Sequence, residues 1–245
     1  MIQKSVFISI ICLFFIIPST TFSQENSRKS YFHIGMDIQT KYVWRGMEMM
    51  TEDAAPVLFP QINYQYNGLF GYVMGGYSIN GKYSEVDLGV SYSCRWLSVG
   101  VNDYYYPTIN TAEDCYFNFK NRDTGHWLEG FVTITPEHIP VYLMVSNFFA
   151  GADKKEDGKQ AFSTYAEITG YYDFVDDHRI AIAVGAALNK SCYNGYAHDF
   201  SICNFEFKYT YSLLLKNLTL PLSVAYIINP VYEKSHVNLT TSFTF

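Results

Sequence analysis

Residues 32–44 read FHIGMDIQTKYVW, and the alternation within this stretch decides the fold class. The even positions carry mostly apolar side chains: Phe32, Ile34, Met36, Ile38, Thr40, Tyr42 and Trp44. The odd positions carry mostly polar or small ones: His33, Gly35, Asp37, Gln39, Lys41 and Val43. A helix would mix the two sets because its period is about 3.6 residues, so the pattern predicts a strand with one apolar face. The stretch is long enough to cross a bilayer, which takes roughly 9–11 tilted residues.

The same alternation recurs along the chain and predicts twelve strands. We expect them at residues 32–44, 57–66, 69–79, 85–94, 97–105, 127–134, 141–149, 162–172, 179–188, 203–211, 218–228 and 237–245. The connections between them alternate between short and long, as in outer-membrane barrels, which have tight periplasmic turns and longer outer loops. We therefore predict an all-β fold, a transmembrane up-and-down antiparallel β-barrel of about 12 strands with both termini in the periplasm.

The composition agrees with strands rather than with apolar helices. The chain holds 22 Tyr and 19 Phe, yet its mean hydropathy is −0.03. A barrel wall that is apolar on one face and polar on the other gives such a neutral mean, whereas membrane helices give long apolar runs. The net charge of −6 comes with no basic patch, so a nucleic-acid partner is not expected.

The N-terminus has the pattern of a signal peptide over residues 1–23. Lys4 precedes an apolar run at residues 6–17, and small residues stand at Thr21 and Ser23, before a cut ahead of Gln24. The alternative, an anchoring helix, requires roughly 17–25 apolar residues. We expect a polar lead-in at residues 24–30 and the barrel at residues 31–245, located in a bacterial outer membrane.

The C-terminus alternates to the last residue and ends on an aromatic side chain, Phe245. This resembles the terminal strand signal that the barrel-insertion machinery recognises, so this machinery and the outer-membrane lipids are expected partners. A last strand that closes the barrel removes the unpaired edge that hydrocarbon does not tolerate.

Three segments resemble the TorF family of porin-like outer-membrane proteins. They are residues 40–46 (TKYVWRG), residues 71–78 followed by Glu85-Val86-Asp87, and residues 103–107 (DYYYP). They cover roughly the first half of the chain in the family's order. The resemblance implies a monomeric barrel of about a dozen strands with a transport role.

Charged residues on the polar faces are expected in the lumen, since charge on a lipid face is costly. The candidates that line the lumen and set selectivity are Asp37, Lys41, Arg45, Glu85, Asp87, Glu129, Glu167, Glu206 and Lys208. Acids outnumber bases in this set, so it predicts preference for cations or neutral polar solutes. The same charges can instead pair with one another to satisfy buried charge. Arg45 and Glu85 are the leading candidates for a constriction or a cross-lumen pair.

One inner wall is expected to be bare, because Ala181, Ala183, Gly185 and Ala187 fall on the inward face of one strand. That leaves room for a passage, or for large side chains such as Trp127, Phe131 and Tyr165 opposite. Cys115 and Cys192 both lie in expected loops. A disulfide between them is therefore one alternative in an oxidising compartment, and two free thiols are the other.

The sequence favours a porin-like channel for passive diffusion of small polar or cationic solutes. One alternative is a structural or partner-binding barrel with a lumen filled by side chains. Another is a lipid-modifying enzyme, which needs a Ser–His pair or similar group at the lipid-facing rim. We find no such signature, so no catalytic residue, cofactor or metal ligand is assigned. The long third outer loop, residues 106–126, is expected to bind a partner or to fold inward and narrow the pore.

Overall fold

Twelve antiparallel strands close into one barrel in a computed structural model that describes residues 30–50, 54–107, 115–175, 177–216 and 218–245. Two further short strands form a separate hairpin. The strands are β1 (Ser30–Gln39), β2 (Val43–Trp44), β3 (Met47–Glu48), β4 (Val57–Tyr66), β5 (Leu69–Ser78), β6 (Ser84–Cys94), β7 (Leu97–Tyr105), β8 (His126–Ile134), β9 (Val141–Gly151), β10 (Thr164–Val175), β11 (His178–Ala187), β12 (Ser201–Leu215), β13 (Leu218–Asn229) and β14 (Lys234–Thr244).

The predicted fold class and strand number are therefore confirmed, and each barrel strand pairs with its sequence neighbours in the barrel. The expected signal peptide, residues 1–23, lies outside the described residues. So does the expected lead-in up to residue 29, whereas Ser30 already belongs to β1. Among the described residues, no helix is long and apolar enough to span a membrane.

The first and last strands close the barrel. β1 pairs with β14 from Gly35 opposite Thr244 to Gln39 opposite Thr240. The last residue continues the ladder, because Phe245 and Ile34 exchange two backbone hydrogen bonds of 3.2 and 2.9 Å. This closure removes the free edge that β1 or β14 would otherwise present.

The long connections share one end of the barrel, here called the loop end, and the tight turns share the other, called the turn end. At the turn end β4 and β5 are joined by Asn67-Gly68, both with positive φ (46° and 83°), as in a type I′ hairpin. The described chain begins and ends on the side of the tight turns, since Ser30 lies opposite Tyr66. An even number of strands requires this.

The outer surface of the barrel is an apolar belt. Val73, Ile168 and Ile182 are about half exposed, and other Ile, Leu, Val and aromatic side chains on the outward faces share this exposure. Along β13 the alternation is strict, with every second residue from Pro221 to Asn229 buried and those between them exposed. So extensive an exposed apolar surface is the one that contacts hydrocarbon in membrane barrels.

The first strand ends earlier than the sequence predicts, and Tyr42 and Trp44, which the alternation places on its apolar face, do not lie on the outer surface of the barrel. β1 ends at Gln39, and both aromatic side chains are buried, with exposures of 7% and 8%. The reason lies at Asn238, whose Oδ1 accepts a hydrogen bond from the backbone N–H of Lys41 at 3.1 Å. This contact ends the ladder and turns the chain into the barrel, where the hairpin β2–β3 continues the alternating pattern.

We predict that arginine is costly on the outer face and tolerated on the inner one. Ile168→Arg should lower the free energy of unfolding by about 2–4 kcal/mol where the residue lies near the bilayer midplane. The matched control is Thr169→Arg at the next position, whose hydroxyl shares the inward face with Glu167; it should cost less than half as much. Urea titration of the protein folded in phospholipid vesicles measures both, and equal losses would contradict the lipid-facing assignment.

Candidate channel interior

The interior is packed with aromatic side chains toward the loop end. Two loops enter it: the described part of the first, residues 40–50 and 54–56, brings Trp44, and the fifth, residues 188–200, brings Tyr193. We call the resulting buried cluster the plug; its main members are Tyr42, Trp44, Arg45, Phe59, Tyr104, Met144, Phe148, Tyr165 and Tyr193. The barrel is therefore partly filled by its own loops.

A tight hairpin carries the first loop into the lumen. Strands β2 and β3 pair Val43 with Glu48 and Trp44 with Met47, which leaves Arg45-Gly46 as a two-residue turn. Both turn residues have positive φ, 51° and 79°, as a type I′ turn requires. A Cβ on Gly46 would lie 2.1 Å from the backbone oxygen of Cys203, so only glycine fits there. The side-chain amide of Asn229 donates to the Gly46 carbonyl at 2.9 Å.

Arg45, at the tip of this hairpin, reaches across the lumen to β8. Its Nη1 lies 2.5 Å from Glu129 Oε1 and donates to the Tyr193 hydroxyl at 2.5 Å. Its guanidinium also lies over the rings of Trp44, at 4.4 Å, and Tyr165, at 4.8 Å. Arg45 and Glu129 are both buried, and burial removes water from both charges. Their ion pair offsets part of this desolvation cost. The structure thus contains a cross-lumen pair made by Arg45, with Glu129 and not with Glu85.

Glu129 is held by further donors on the neighbouring strand. Its Oε2 accepts hydrogen bonds from the Tyr104 hydroxyl at 2.8 Å and the Asn102 amide at 3.2 Å. Asn102 in turn accepts from the Tyr72 hydroxyl at 3.1 Å. Such a satisfied network fixes the carboxylate in place and with it the position of the hairpin tip.

The fifth loop completes the plug through a single 3₁₀ turn at Cys192–Asn194. The Tyr193 ring stacks on Phe148 with centroids 6.1 Å apart and packs against Trp44 and Tyr165. Burial raises the pKa of the Cys192 thiol to about 12, which disfavours the thiolate form. Cys115 is exposed and, like Cys192, free, so the disulfide considered between them is not formed.

Glu85 and Asp87 lie side by side on β6, against the plug. Glu85 accepts hydrogen bonds from the hydroxyls of Tyr83 and Tyr42, the latter at 3.4 Å. Asp87 is fully buried, and its carboxyl group interacts with that of Glu85. Neither residue borders the two cavities described below, so this acidic pair belongs to the filled side of the lumen.

The small residues of β11 make room for an aromatic ring. Tyr165 on the adjacent strand is fully buried, and a Cβ on Gly185 would lie 1.9 Å from its hydroxyl oxygen. This hydroxyl donates to Glu167 at 2.5 Å, and the Asn204 amide also donates to Glu167 at 3.2 Å. The sequence predicted either a passage or a large side chain beside these small residues. The structure shows a large side chain, Tyr165.

The opposite side of the lumen, along β12, β13, β14 and β1, is less filled. An inner cavity of ≈50 Å³ lies between the plug and this wall. Its polar lining consists of Asp37, Gln39, Tyr42, Glu206, Lys208, Asn238 and Thr240. An outer cavity of ≈310 Å³ lies nearer the loop end, bordered by the first and sixth loops.

The two cavities follow one another along the same wall. On β14, His236 borders the outer cavity and Asn238, the next inward residue, borders the inner one. Beside them Val43 of the hairpin packs against Ala225 and Ile227 of β13. The hairpin therefore narrows this side of the lumen at an apolar contact.

The structure divides the charged candidates into two groups. Arg45, Glu85, Asp87, Glu129 and Glu167 belong to the plug or pack beside it. Asp37, Glu206 and Lys208 border the inner cavity, and Lys208 Nζ lies 2.5 Å from Glu206 Oε1. Lys41 borders neither cavity, but its Nζ lies 2.5 Å from Oε1 of Glu48, which borders the outer one. The excess of acid is thus concentrated in the filled half, while charges beside the cavities are nearly balanced.

From residue 115 onward the third loop packs on the outside of the barrel, whereas Tyr106 at its start packs against the plug. Tyr104 faces the plug, so Asp103 and Tyr105 face outward, as does His126 opposite Tyr105. The His126 ring is covered by Phe119 of the loop, with stacked ring centroids 4.3 Å apart. Its Nδ1 lies 2.8 Å from Asp103, and its Nε2 lies 2.6 Å from the Tyr116 carbonyl oxygen.

The His126–Asp103 pair resembles the base and orienting group of a hydrolase only in part. A carbonyl oxygen accepts but does not donate, so His126 Nε2 carries a proton and is occupied by Tyr116. In a hydrolytic triad that nitrogen would face a nucleophilic hydroxyl. The pair's visible role is to tie the third loop to the outer wall.

Comparisons with known proteins support the architecture. No family model matches the chain, and no curated protein matches it. Solved structures include the COG4313 outer membrane channel from Pseudomonas putida F1, with a TM-score of 0.50 and 13% identity over 94% of this chain and 98% of that one. A protein from a study of in-meso crystallization of membrane proteins gives a TM-score of 0.52 and 10% identity over 88% and 83%. At such identities the likeness shows the barrel fold alone, and the TorF resemblance stays a prediction.

We predict that a single methyl group at Gly185 disturbs the plug. Gly185→Ala should lower the free energy of unfolding by about 1–3 kcal/mol, because its Cβ overlaps the Tyr165 ring. Gly170→Ala on the paired strand is the control, since the nearest atom to its Cβ is 4.0 Å away. Denaturant titration compares them, and the packing described here is refuted if both variants are as stable as the parent.

Proposed function

We propose that this chain is an outer-membrane channel for small polar solutes, with the β2–β3 hairpin as its constriction. The observation that carries the proposal is the uneven interior: one side is plugged, and the other retains two successive cavities whose linings combine charged and polar side chains with apolar ones. A barrel of about 12 strands lies between small filled barrels and the wide pores of about 16–18 strands. A narrow route beside an inward-folded loop suits that size.

The proposed orientation places the turn end in the periplasm and the loop end outside. The signal-peptide pattern at residues 1–23, the tight turns at one end and the terminal Phe245 support this arrangement. The outward apolar belt supports insertion among outer-membrane lipids.

We propose no strong preference for cations, although the sequence predicted one. That expectation counted all inward acids equally, whereas Glu85, Asp87 and Glu129 are packed within the plug. A solute that passes along β13 meets Asp37 and Glu206 together with Lys208. Opposite charges side by side favour polar solutes without a strong choice of ion sign.

The alternative is a structural or partner-binding barrel with a closed lumen, and the plug itself favours it. Arg45, Trp44 and Tyr193 form buried hydrogen-bond and cation–π contacts of the kind that fill the interior of a small barrel. Planar-bilayer recording distinguishes the two functions. Discrete conductance steps from the folded protein support the channel, and a sealed bilayer containing folded protein supports the structural barrel.

We predict that releasing the hairpin tip opens the channel. The double variant Arg45→Met with Glu129→Gln removes the cross-lumen ion pair without leaving a buried lone charge. Hydrogen bonds to charged groups contribute roughly 1.5–3 kcal/mol, so the open fraction in bilayer recordings should rise on the order of tenfold. Lys159→Met with Asp157→Asn, which removes an exposed ion pair of the fourth loop, is the matched control and should leave gating unchanged.

We also predict that the conducting route follows β13. Ala225→Trp adds a large ring beside the inner cavity and should reduce the single-channel conductance or abolish it. Val224→Trp places the same ring on the outward face one residue away, where the side chain is already exposed, and should conduct normally. A route elsewhere in the lumen is indicated if the two variants conduct alike.

A further inference from the structure

The outer cavity combines opposite charges with an unpaired histidine nitrogen. It measures ≈310 Å³, within the roughly 300–1,000 Å³ of small-molecule sites. Glu48 of the hairpin borders it from one side, and Lys234 and His236 of β14 border it from the other. Lys234 and His236 are two residues apart on one strand, so their side chains share the inward face.

The two charged groups of this cavity are not fully paired with each other. Glu48 Oε1 lies 2.5 Å from Lys41 Nζ, but Glu48 Oε2 lies 3.8 Å from Lys234 Nζ, beyond hydrogen-bonding distance. The Lys234 side chain is about half exposed, at 52%. One carboxylate oxygen and one ammonium group therefore face the same cavity with hydrogen-bonding capacity to spare.

His236 adds a directed polar group. The residue is 6% exposed, and its Nε2 has no hydrogen-bond partner among the described residues. A buried nitrogen without a partner is unfavourable unless a bound group supplies one. Asn229 in the same lining is already occupied, because its amide donates to Gly46 and its oxygen accepts from the N–H groups of Val231 and Tyr232.

We propose that this cavity binds a small zwitterion, a solute that carries one carboxylate and one ammonium group. Lys234 and the N–H of His236 receive the carboxylate, and Glu48 Oε2 receives the ammonium group. A simple anion meets the negative charge of Glu48, and a simple cation meets Lys41 and Lys234, so neither matches the site as well. In the proposed channel this cavity is the outer vestibule, and that role rests on the proposed function.

The test uses three related probes on the full protein in detergent micelles, with its histidine rings labelled with ¹⁵N. Glycine is the zwitterion, acetate is its anionic half and methylammonium is its cationic half. We expect glycine to shift the His236 ring-nitrogen resonance in a saturable manner, with acetate and methylammonium at least roughly tenfold weaker. His236→Gln identifies the resonance by its loss.

Variants separate the two halves of the site. Lys234→Gln should weaken glycine binding roughly tenfold, and Glu48→Gln should weaken glycine while strengthening acetate. Lys190→Gln, at an exposed lysine of the fifth loop, is the matched control and should bind as the parent does. Folding of each variant is checked by its heat-modifiable migration in gels.

Three results overturn the proposal: acetate binding as well as glycine, methylammonium binding as well as glycine, or no saturable shift with any probe. The measurement requires no conduction. A sealed bilayer together with saturable glycine binding would therefore reject the channel and retain the site, and the reverse pair of results would do the opposite.

Discussion

Every backbone N–H and C=O group that enters hydrocarbon must find a partner within the protein, and the rest of this structure depends on that constraint. The β1–β14 pairing meets it by leaving neither terminal strand with a free edge. Once the sheet is closed, each strand has one face toward lipid and one toward an enclosed axis. The dyad pattern of the sequence follows from this geometry, and so does the burial of charged residues on the strands such as Glu85, Asp87 and Glu129.

The closed sheet also encloses a lumen, which must contain either water or protein side chains. This barrel is filled on one side and leaves space on the other. The hairpin tip Arg45 is held by Glu129 and by the fifth-loop ring of Tyr193, so two loops are joined to a strand at one point. Opposite that point, small or short polar side chains such as Ala225 and Thr240 leave space. The asymmetry follows from which residues project inward and not from the symmetry of the barrel.

The sequence predicted the strands well because lipid and lumen impose a period of two on every residue. The bounds of β4 and β7 agree with prediction at both ends. The same alternation wrongly extended the first strand to Trp44. The β2–β3 hairpin is also pleated, so the alternation continues after β1 has ended. A non-glycine residue before Gly46 concealed the type I′ turn.

Only part of the candidate site could be predicted from the sequence. Arg45 and Glu129 were each expected inside, but periodicity says which face a side chain occupies and not which residue it meets across a lumen. Tyr193 lies in an irregular loop that has no period to read, and His236 gained meaning only from the cavity it borders. Contacts between segments far apart in the chain arise from closure, which no local pattern encodes.

The pairing of Ile34 with Phe245 also has a consequence for the order of events during biogenesis. The partners of the first strand lie in β14, the last of the described strands, so the wall stays open until β14 has been made. Contacts of such long sequence separation form late and slowly. Until then both β1 and β14 expose unpaired backbone, and such edges are open to pairing with other chains.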